Sequence, residues 1–236
     1  EAESRITCGP YVLESFSKEA GTLTFSVNPY YPQKPNVKQI VYRLFGNEDT
    51  MYLALQQGDV DMVWGYSTGV AGTYQDVLAG DENVALINVA AANAPAVLAF
   101  NNAKGLFTDE NLRQAVSYAL DYDAFKTYFG SAYAQIPNRG FVPETTVGYK
   151  QTEQLTTDTA KAQEYMEAAG YSEKNADGFY VNDAGQTASF TLTVNAAKEA
   201  HVGYAEMIKN QLEQFGIQVD LDAVDKDSYN AKTSNK

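Results

Sequence analysis

Phe190-Thr191-Leu192-Thr193-Val194 and, after a helical stretch, Ile217-Gln218-Val219-Asp220-Leu221 are the segments on which the fold turns. Each alternates apolar with polar residues, the period-two pattern of a half-buried strand. Between them Tyr204, Met207, Ile208, Leu212 and Phe215 recur at helical spacing on one side, and Gly216 supplies a stop. Strand, helix, strand at this spacing predicts an α/β domain with some parallel pairing and right-handed crossovers.

Toward the N-terminus, residues 158 to 169 read as an amphipathic helix through Ala162, Tyr165, Met166 and Ala169, stopped by Gly170. Asp177-Gly178 and Asp183-Ala184-Gly185 mark turns. Thr108 is a favourable N-cap, followed by Asp109 and Glu110 at the positive end of the helix dipole. Leu112, Ala115, Val116, Ala119 and Leu120 then recur at helical spacing, which assigns one face of that helix to the core. Asp121 caps a shorter helix with Phe125 and Phe129, ended by Gly130, and the run from Ile136 to Gly148 reads as an ordered loop. Val84 to Val89 and Ala96 to Phe100 read as strands. Leu112, Ala115, Val116, Ala119, Ile208, Leu212 and Val219 are expected to be buried.

The opening third reads as strands at Tyr11-Val12-Leu13, Thr22 to Val27 and Ile40 to Phe45, the last two separated by the breaker run Asn28-Pro29-Tyr30-Tyr31-Pro32. Asn47 is suited to cap a helix over 48 to 57, and Gly58 ends it before a short strand Asp61-Met62-Val63-Trp64. The tail Ala231 to Lys236 shows no closing element, and the chain reads as an excised piece of a longer protein.

With 236 residues and 44% hydrophobic content, the chain is large enough for a substantial core, and one domain is expected. Its net charge of −13 opposes an anionic membrane or nucleic-acid surface. No run approaches the roughly 20 apolar residues needed to span a bilayer, and Glu1-Ala2-Glu3-Ser4-Arg5 lacks the order of a signal peptide. Cys8 is the only cysteine and His201 the only histidine, which excludes a disulfide framework, a His-based nucleophile pair and a multi-histidine metal site within the chain. His201 reads as a surface residue at a helix start.

Asp220 and Asp222 share a strand face but lie too close together to flank a substrate as acid and base. Asn182-Asp183-Ala184-Gly185 offers only fragments of a calcium loop, and no phosphate loop or dinucleotide fingerprint is present. No catalytic residue, metal or cofactor is assigned. Among the 17 tyrosines and the single tryptophan, Trp64 stands out at the carboxyl end of a strand, where open α/β sheets place ligand crevices. Packing and ligand stacking are both open to it.

Several motifs, in order, resemble the bacterial extracellular solute-binding proteins of family 5, the peptide and nickel solute-binding family of ATP-driven importers. Cys8-Gly9-Pro10-Tyr11-Val12-Leu13 resembles the family's T-G-P-Y-x-L, with Cys8 in place of Thr. Asn28-Pro29-Tyr30-Tyr31 with Lys34-Pro35 resembles N-P-x-Y-W-x-x-K-P, shortened around Pro32-Gln33. Gln56-Gln57-Gly58-Asp59-Val60-Asp61 matches Q-x-G-E/D-x-D, and Phe107 to Ala115 through Leu120-Asp121 matches F-x-D-x-x-V-R-Q-A-x-x-x-A-I-D. Lys161-Ala162 through Ala169-Gly170-Tyr171 and Gln211-Leu212 through Phe215-Gly216-Ile217 match two further helix ends of the family.

The resemblance implies an α/β, periplasmic-binding-protein-like (type II) lobe with a mixed sheet flanked by helices. On this reading residues 1 to 236 form one domain, the second lobe of a two-lobe protein whose first lobe and return crossing lie outside the chain. It implies capture of oligopeptides, with nickel chelates or another small solute ranked second, by closure about a hinge and delivery to the membrane permease of an ABC importer. The protein would be a monomeric, non-enzymatic, extracytoplasmic component, periplasmic or a cell-surface lipoprotein. A stand-alone protein-interaction or signalling domain built on the same lobe is the alternative. Asn195 matches an Asn that faces the ligand in peptide-binding relatives, and Trp64, Gly65 and Tyr66 correspond to ligand-facing segments. Asn195 also suits a turn residue capping the next helix. Trp64 and Asn195 are expected to border one crevice, and the segments Glu1 to Tyr11 and Ser228 to Lys236 to lie on one side of the fold.

Overall fold

Tyr11–Ser17 (β1) and Thr22–Val27 (β2) fold back on each other across a turn closed by Gly21, whose φ of 60° suits glycine. In the computed structural model, which describes residues 7–63, 70, 72–87, 96–130, 134–140 and 142–234, these strands pair antiparallel from Tyr11↔Val27 to Ser17↔Thr22, with an irregularity between Leu13 and Ser15. Gln39–Arg43 (β3) adds on the other side of β2, Phe25 opposite Ile40. Asn28 fixes the exit from β2: its amide donates to Gly9 O at 2.9 Å, and its Oδ1 accepts the Tyr30 N–H at 3.0 Å.

Asn47 caps Glu48–Gln56 (α1) as expected, its Oδ1 accepting the Thr50 N–H at 2.9 Å. The next expected strand does not form over Asp61–Val63. The N–H groups of Asp59 and Val60 both turn back to Ala54 O, so the chain curls onto the end of α1 instead of extending. Of the strand expected over Val84 to Val89, residues 88 and 89 lie outside the described residues, and neither Val84–Ile87 nor Ala96–Phe100 forms a ladder. Asp81 holds the chain before the first of these in a turn, accepting the Asn83 N–H on its side chain and the Val84 N–H on its carbonyl.

The chain divides into two compact units, one of Glu1–Ser67 with Leu78–Ala85, the other of Thr68–Val77 with Leu86–Lys236. The helix Gly72–Ala79 (α2), absent from the sequence expectations, is shared between their spans. The first unit buries Tyr52, Ala54 and Leu78.

The second unit holds the main core. A 3₁₀ turn at Leu106–Thr108 leads into Glu110–Ala119 (α3), and Asp109, not Thr108, is its N-cap, accepting the Asn111 N–H at 2.7 Å. Thr108 is the last residue of the preceding turn, its hydroxyl spent on Gly105 O. Tyr122–Gly130 (α4) starts at Asp121, which accepts the Ala124 N–H. Asp158 caps Thr159–Ala168 (α5). A small hairpin, Glu173–Lys174 (β4) with Tyr180–Val181 (β5), precedes Ser189–Asn195 (β6).

Glu199–Phe215 (α6) then connects β6 to Gln218–Val224 (β7), and the two strands pair parallel from Ser189↔Gln218 to Asn195↔Val224, as their alternation predicted. Gly216 ends α6 in the left-handed region at φ 119°. A last helix, Lys226–Ser234 (α7), closes the described chain where no element was expected.

Val116, Met166, Leu212, Ile217 and Val219 are among the fully buried residues that join α3, α5, α6 and β7. Burial of each such side chain is worth about 1.5–3 kcal/mol. Of the seven residues expected inside, Ile208 alone is only partly buried, at the edge of this cluster. Among the described residues parallel and antiparallel pairing coexist in separate sheets, one of three strands and two of two strands. With the helices they make an α/β architecture.

Candidate ligand-binding site

The carboxyl end of the parallel pair is where an open α/β sheet places a crevice, and β6 ends there on Asn195. Apolar Val194 is buried beneath it, and Asn195 itself is only 7% exposed. The chain then turns sharply: Ala196 N–H donates to Val224 O, and the Asn195 carbonyl accepts the Lys198 N–H. The Asn195 Oδ1 accepts the Ala197 N–H at 3.0 Å. The side-chain oxygen is therefore spent on the turn into α6, whose own N-cap Lys198 makes no side-chain cap bond. The amide Nδ2 has no partner among the described residues and remains a donor.

Next to it on β7, Asp222 gathers the Lys232 ammonium of α7 at 2.5 Å and the Thr193 hydroxyl at 3.2 Å. The hydrogen bond from Lys232 holds the Asp222 carboxyl below the ordinary aspartate range. Asp225 starts α7 by accepting the N–H groups of Asp227 and Ser228 and the Ser228 hydroxyl. The carboxylates of this edge are thus occupied as ion-pair partner and cap. Trp64, Gly65 and Tyr66 lie outside the described residues, as do residues 1–6 at the N-terminus, so of the four expected ligand-facing residues the structure places Asn195 alone.

Two clefts lined by described residues of the second unit were not suggested by the sequence. The larger, about 520 Å³, is walled by Thr108, Asp109, Tyr171, Asn182, Gln186 and Ser189 among others. Its walls are mostly neutral hydroxyls and amides, and Asp109 is committed to capping α3. The smaller, about 320 Å³, lies against α3 and is lined by Phe100, Asn102, Arg113, Gln114, Ser117 and Arg139. The chain has only four arginines, and two of them, distant in sequence, meet here.

Arg113 Nη1 donates to Phe107 O at 2.7 Å and Thr108 O at 3.3 Å, which ties the 3₁₀ turn to α3. Arg139 lies over the Tyr118 ring at 4.8 Å and pairs with Glu153 at 3.3 Å. Lys161 reaches the same ring at 4.3 Å and donates to its hydroxyl at 2.9 Å.

His201 is largely exposed in the first turn of α6, and partial desolvation, with the neighbouring Lys198 charge, lowers its pKa. Among the described residues no three His, Cys, Asp or Glu side chains converge on a metal position, and no helix is long and apolar enough to cross a membrane.

Comparison with known proteins gives a consistent result. The family model described as "Bacterial extracellular solute-binding proteins, family 5 Middle" matches residues 1–236. The chain is 21% identical over 225 residues to the oligopeptide-binding protein AppA of Bacillus subtilis, covering 93% of this chain and 40% of AppA. It is 31% identical over 170 residues to the probable D,D-dipeptide-binding periplasmic protein DdpA of Escherichia coli, covering 68% of this chain and 30% of DdpA. The crystal structure of NikA from Brucella suis in complex with Fe(III)-EDTA superimposes with a TM-score of 0.83 at 21% identity, over 95% of this chain and 45% of NikA. The chain thus spans less than half the length of these relatives, and its fold is periplasmic-binding-protein-like.

Proposed function

The chain belongs to the bacterial extracellular solute-binding proteins of family 5, and on that premise we propose that it is the ligand-capturing second lobe of an importer's binding protein, both compact units serving in that lobe. Its ligand is an oligopeptide before a nickel chelate or another small solute. Capture proceeds by hinge closure, and the loaded protein delivers its ligand to the permease of an ABC importer on the outer side of the membrane. The chain binds and releases; it does not catalyse.

The observation that carries this reading is the family match over the full 236 residues. Relatives named for oligopeptides and dipeptides support the peptide class, and the metal-chelate complex of NikA supports keeping chelates in second place. Asn195 supports it locally. A half-satisfied, buried amide at the carboxyl end of a parallel pair holds a donor ready for a ligand carbonyl, and Trp64, Gly65 and Tyr66 are proposed to face the same ligand.

Calorimetric titration of di- to hexapeptides, and separately of Ni²⁺ chelates, into the full-length protein and into the 236-residue chain tests it. A polar ligand buried between two lobes needs partners from both. Peptide binding by the full-length protein with little by the chain alone is expected. Heat from neither class in the full-length protein would turn the reading toward an interaction domain that needs no small ligand.

A further inference from the structure

We propose that the cleft lined by Phe100, Asn102, Arg113, Gln114, Ser117 and Arg139 binds a small carboxylate of about amino-acid size, a site that does not rest on the capture role above. The cleft, about 320 Å³, sits at the small end of the range for small-molecule sites. In a chain of net charge −13 it gathers two guanidinium groups and no carboxylate among its lining side chains. That composition excludes a cation as the occupant and favours an anion.

The donors are held in place yet incompletely used. Arg113 spends Nη1 on two backbone carbonyls, leaving Nη2 and Nε without partners among the described residues. Arg139 is oriented by the Tyr118 ring and by Glu153, but Glu153 is 64% exposed and neutralises it weakly. Its Nη1 donates to Ser117 Oγ at 3.3 Å, a long bond for a charged donor. Its Nη2 is closed off from solvent and has no acceptor among the described residues. A buried, charged donor without an acceptor is costly, and a carboxylate that displaces Ser117 from Nη1 would bring its oxygens to this edge of the guanidinium. Two coplanar N–H groups of an arginine fit the two oxygens of a carboxylate. The Asn102 and Gln114 amides add neutral donors, and the Phe100 ring supplies an apolar wall for a short carbon chain.

The test is an NMR titration of the full-length protein, labelled with ¹⁵N at arginine, with sodium succinate and in parallel with sodium phosphate. A saturable shift of the Arg139 and Arg113 Nε–H signals with succinate is expected, with Kd, followed on Arg113 in the variant, raised at least tenfold by Arg139→Gln. Gln114→Glu, which leaves the Arg139 platform on Tyr118 intact and places a negative charge in the cleft, is expected to raise Kd as much. The absence of saturation, or an unchanged Kd in Gln114→Glu, overturns the site. Phosphate binding as tightly as succinate overturns its assignment to carboxylates.

Discussion

Gly203 lies directly under the Tyr128 hydroxyl: a methyl group placed on Gly203 would meet Tyr128 Oη at 1.9 Å. The missing side chain on α6 lets α4 lay Tyr128 edge-on against Tyr204, their ring centroids 5.3 Å apart, with Phe129 stacked on the same ring at 5.6 Å. Two effects of opposite sign meet in Gly203→Ala. Removing a helix-interior glycine stabilises by about 0.5–1 kcal/mol, while expelling Tyr128 from its edge contact costs about 0.5–1.5 kcal/mol. Tyr128 is 44% exposed and free to swing out, so the two nearly cancel. Urea unfolding is expected to change by less than about 1 kcal/mol, with a clear change in near-ultraviolet circular dichroism. A loss several times larger would mean that Tyr128 is locked in place.

Gly216→Ala is expected to be much costlier. Its φ of 119° disfavours any side chain, and the added carbon would lie 2.9 Å from Lys174 Cε and 3.0 Å from Gly178 O. Strain and crowding together should cost about 2–4 kcal/mol. Gly58→Ala, at φ 77° with nothing within 4 Å, carries the backbone strain alone and should cost about 1 kcal/mol. Equal losses in the two variants by chemical denaturation would remove the packing part of the account.

Acid should loosen α7 before it unfolds the core. The Asp222 carboxyl titrates below its ordinary value because it accepts a hydrogen bond from Lys232. A group whose pKa is lower in the folded protein contributes stability that is present above its unfolded pKa and lost as pH falls through the folded one. The contribution is therefore full at neutral pH and is lost as pH falls below the ordinary aspartate value of 3.8. Hydrogen exchange of α7 amides, followed from pH 6 down to about 3, should accelerate in that window after correction for the intrinsic rate. Asp222→Asn should show the fast exchange already at neutral pH.

Asn195 separates a turn role from a ligand role through two substitutions. Asn195→Asp keeps the acceptor for the Ala197 N–H and loses the Nδ2 donor; Asn195→Ala loses both. Stability should fall by about 1 kcal/mol in the alanine variant and less in the aspartate one. If Nδ2 meets the ligand, peptide affinity measured by calorimetry in the full-length protein should fall about tenfold in both. Unchanged affinity in Asn195→Asp would leave Asn195 as a turn residue only.

The parts of the fold legible in the sequence were those where periodicity, caps and stops agree. Phe190 to Leu221 reads as strand, helix and strand because two alternating runs flank a helical stripe ended by a glycine. Where one signal stood alone it misled. Val84 to Val89 is apolar enough for a strand, but the Asp81 turn before it sends its described part, Val84–Ile87, elsewhere. Thr108 and Asp109 are both good caps, and only the Gly105 contact of Thr108 decides between them. The helix α7 escaped notice because it has no buried residue and is held by a charge pair and an Asp225 cap rather than by an apolar stripe. The arginine cleft was illegible for a similar reason. Arg113 and Arg139 are far apart in sequence, and no short-range pattern announces that α3 and the loop after α4 bring them together.

The parallel pairing of β6 with β7 carries a consequence for the order of folding. Ser189 meets Gln218 only after the whole of α6 intervenes, so the loop must close before any ladder bond rewards it. Helix formation takes about a microsecond or less, and α6 is the local event able to shorten that search. Substitutions that weaken α6 on its solvent side should therefore slow refolding of the second unit, whereas truncations of β7 at its distal end should mainly speed unfolding. A chain emerging from a ribosome or a translocation channel would hold β6 unpaired until β7 has followed it out, and the still-open edge of that strand is the stretch a holding chaperone would have to cover.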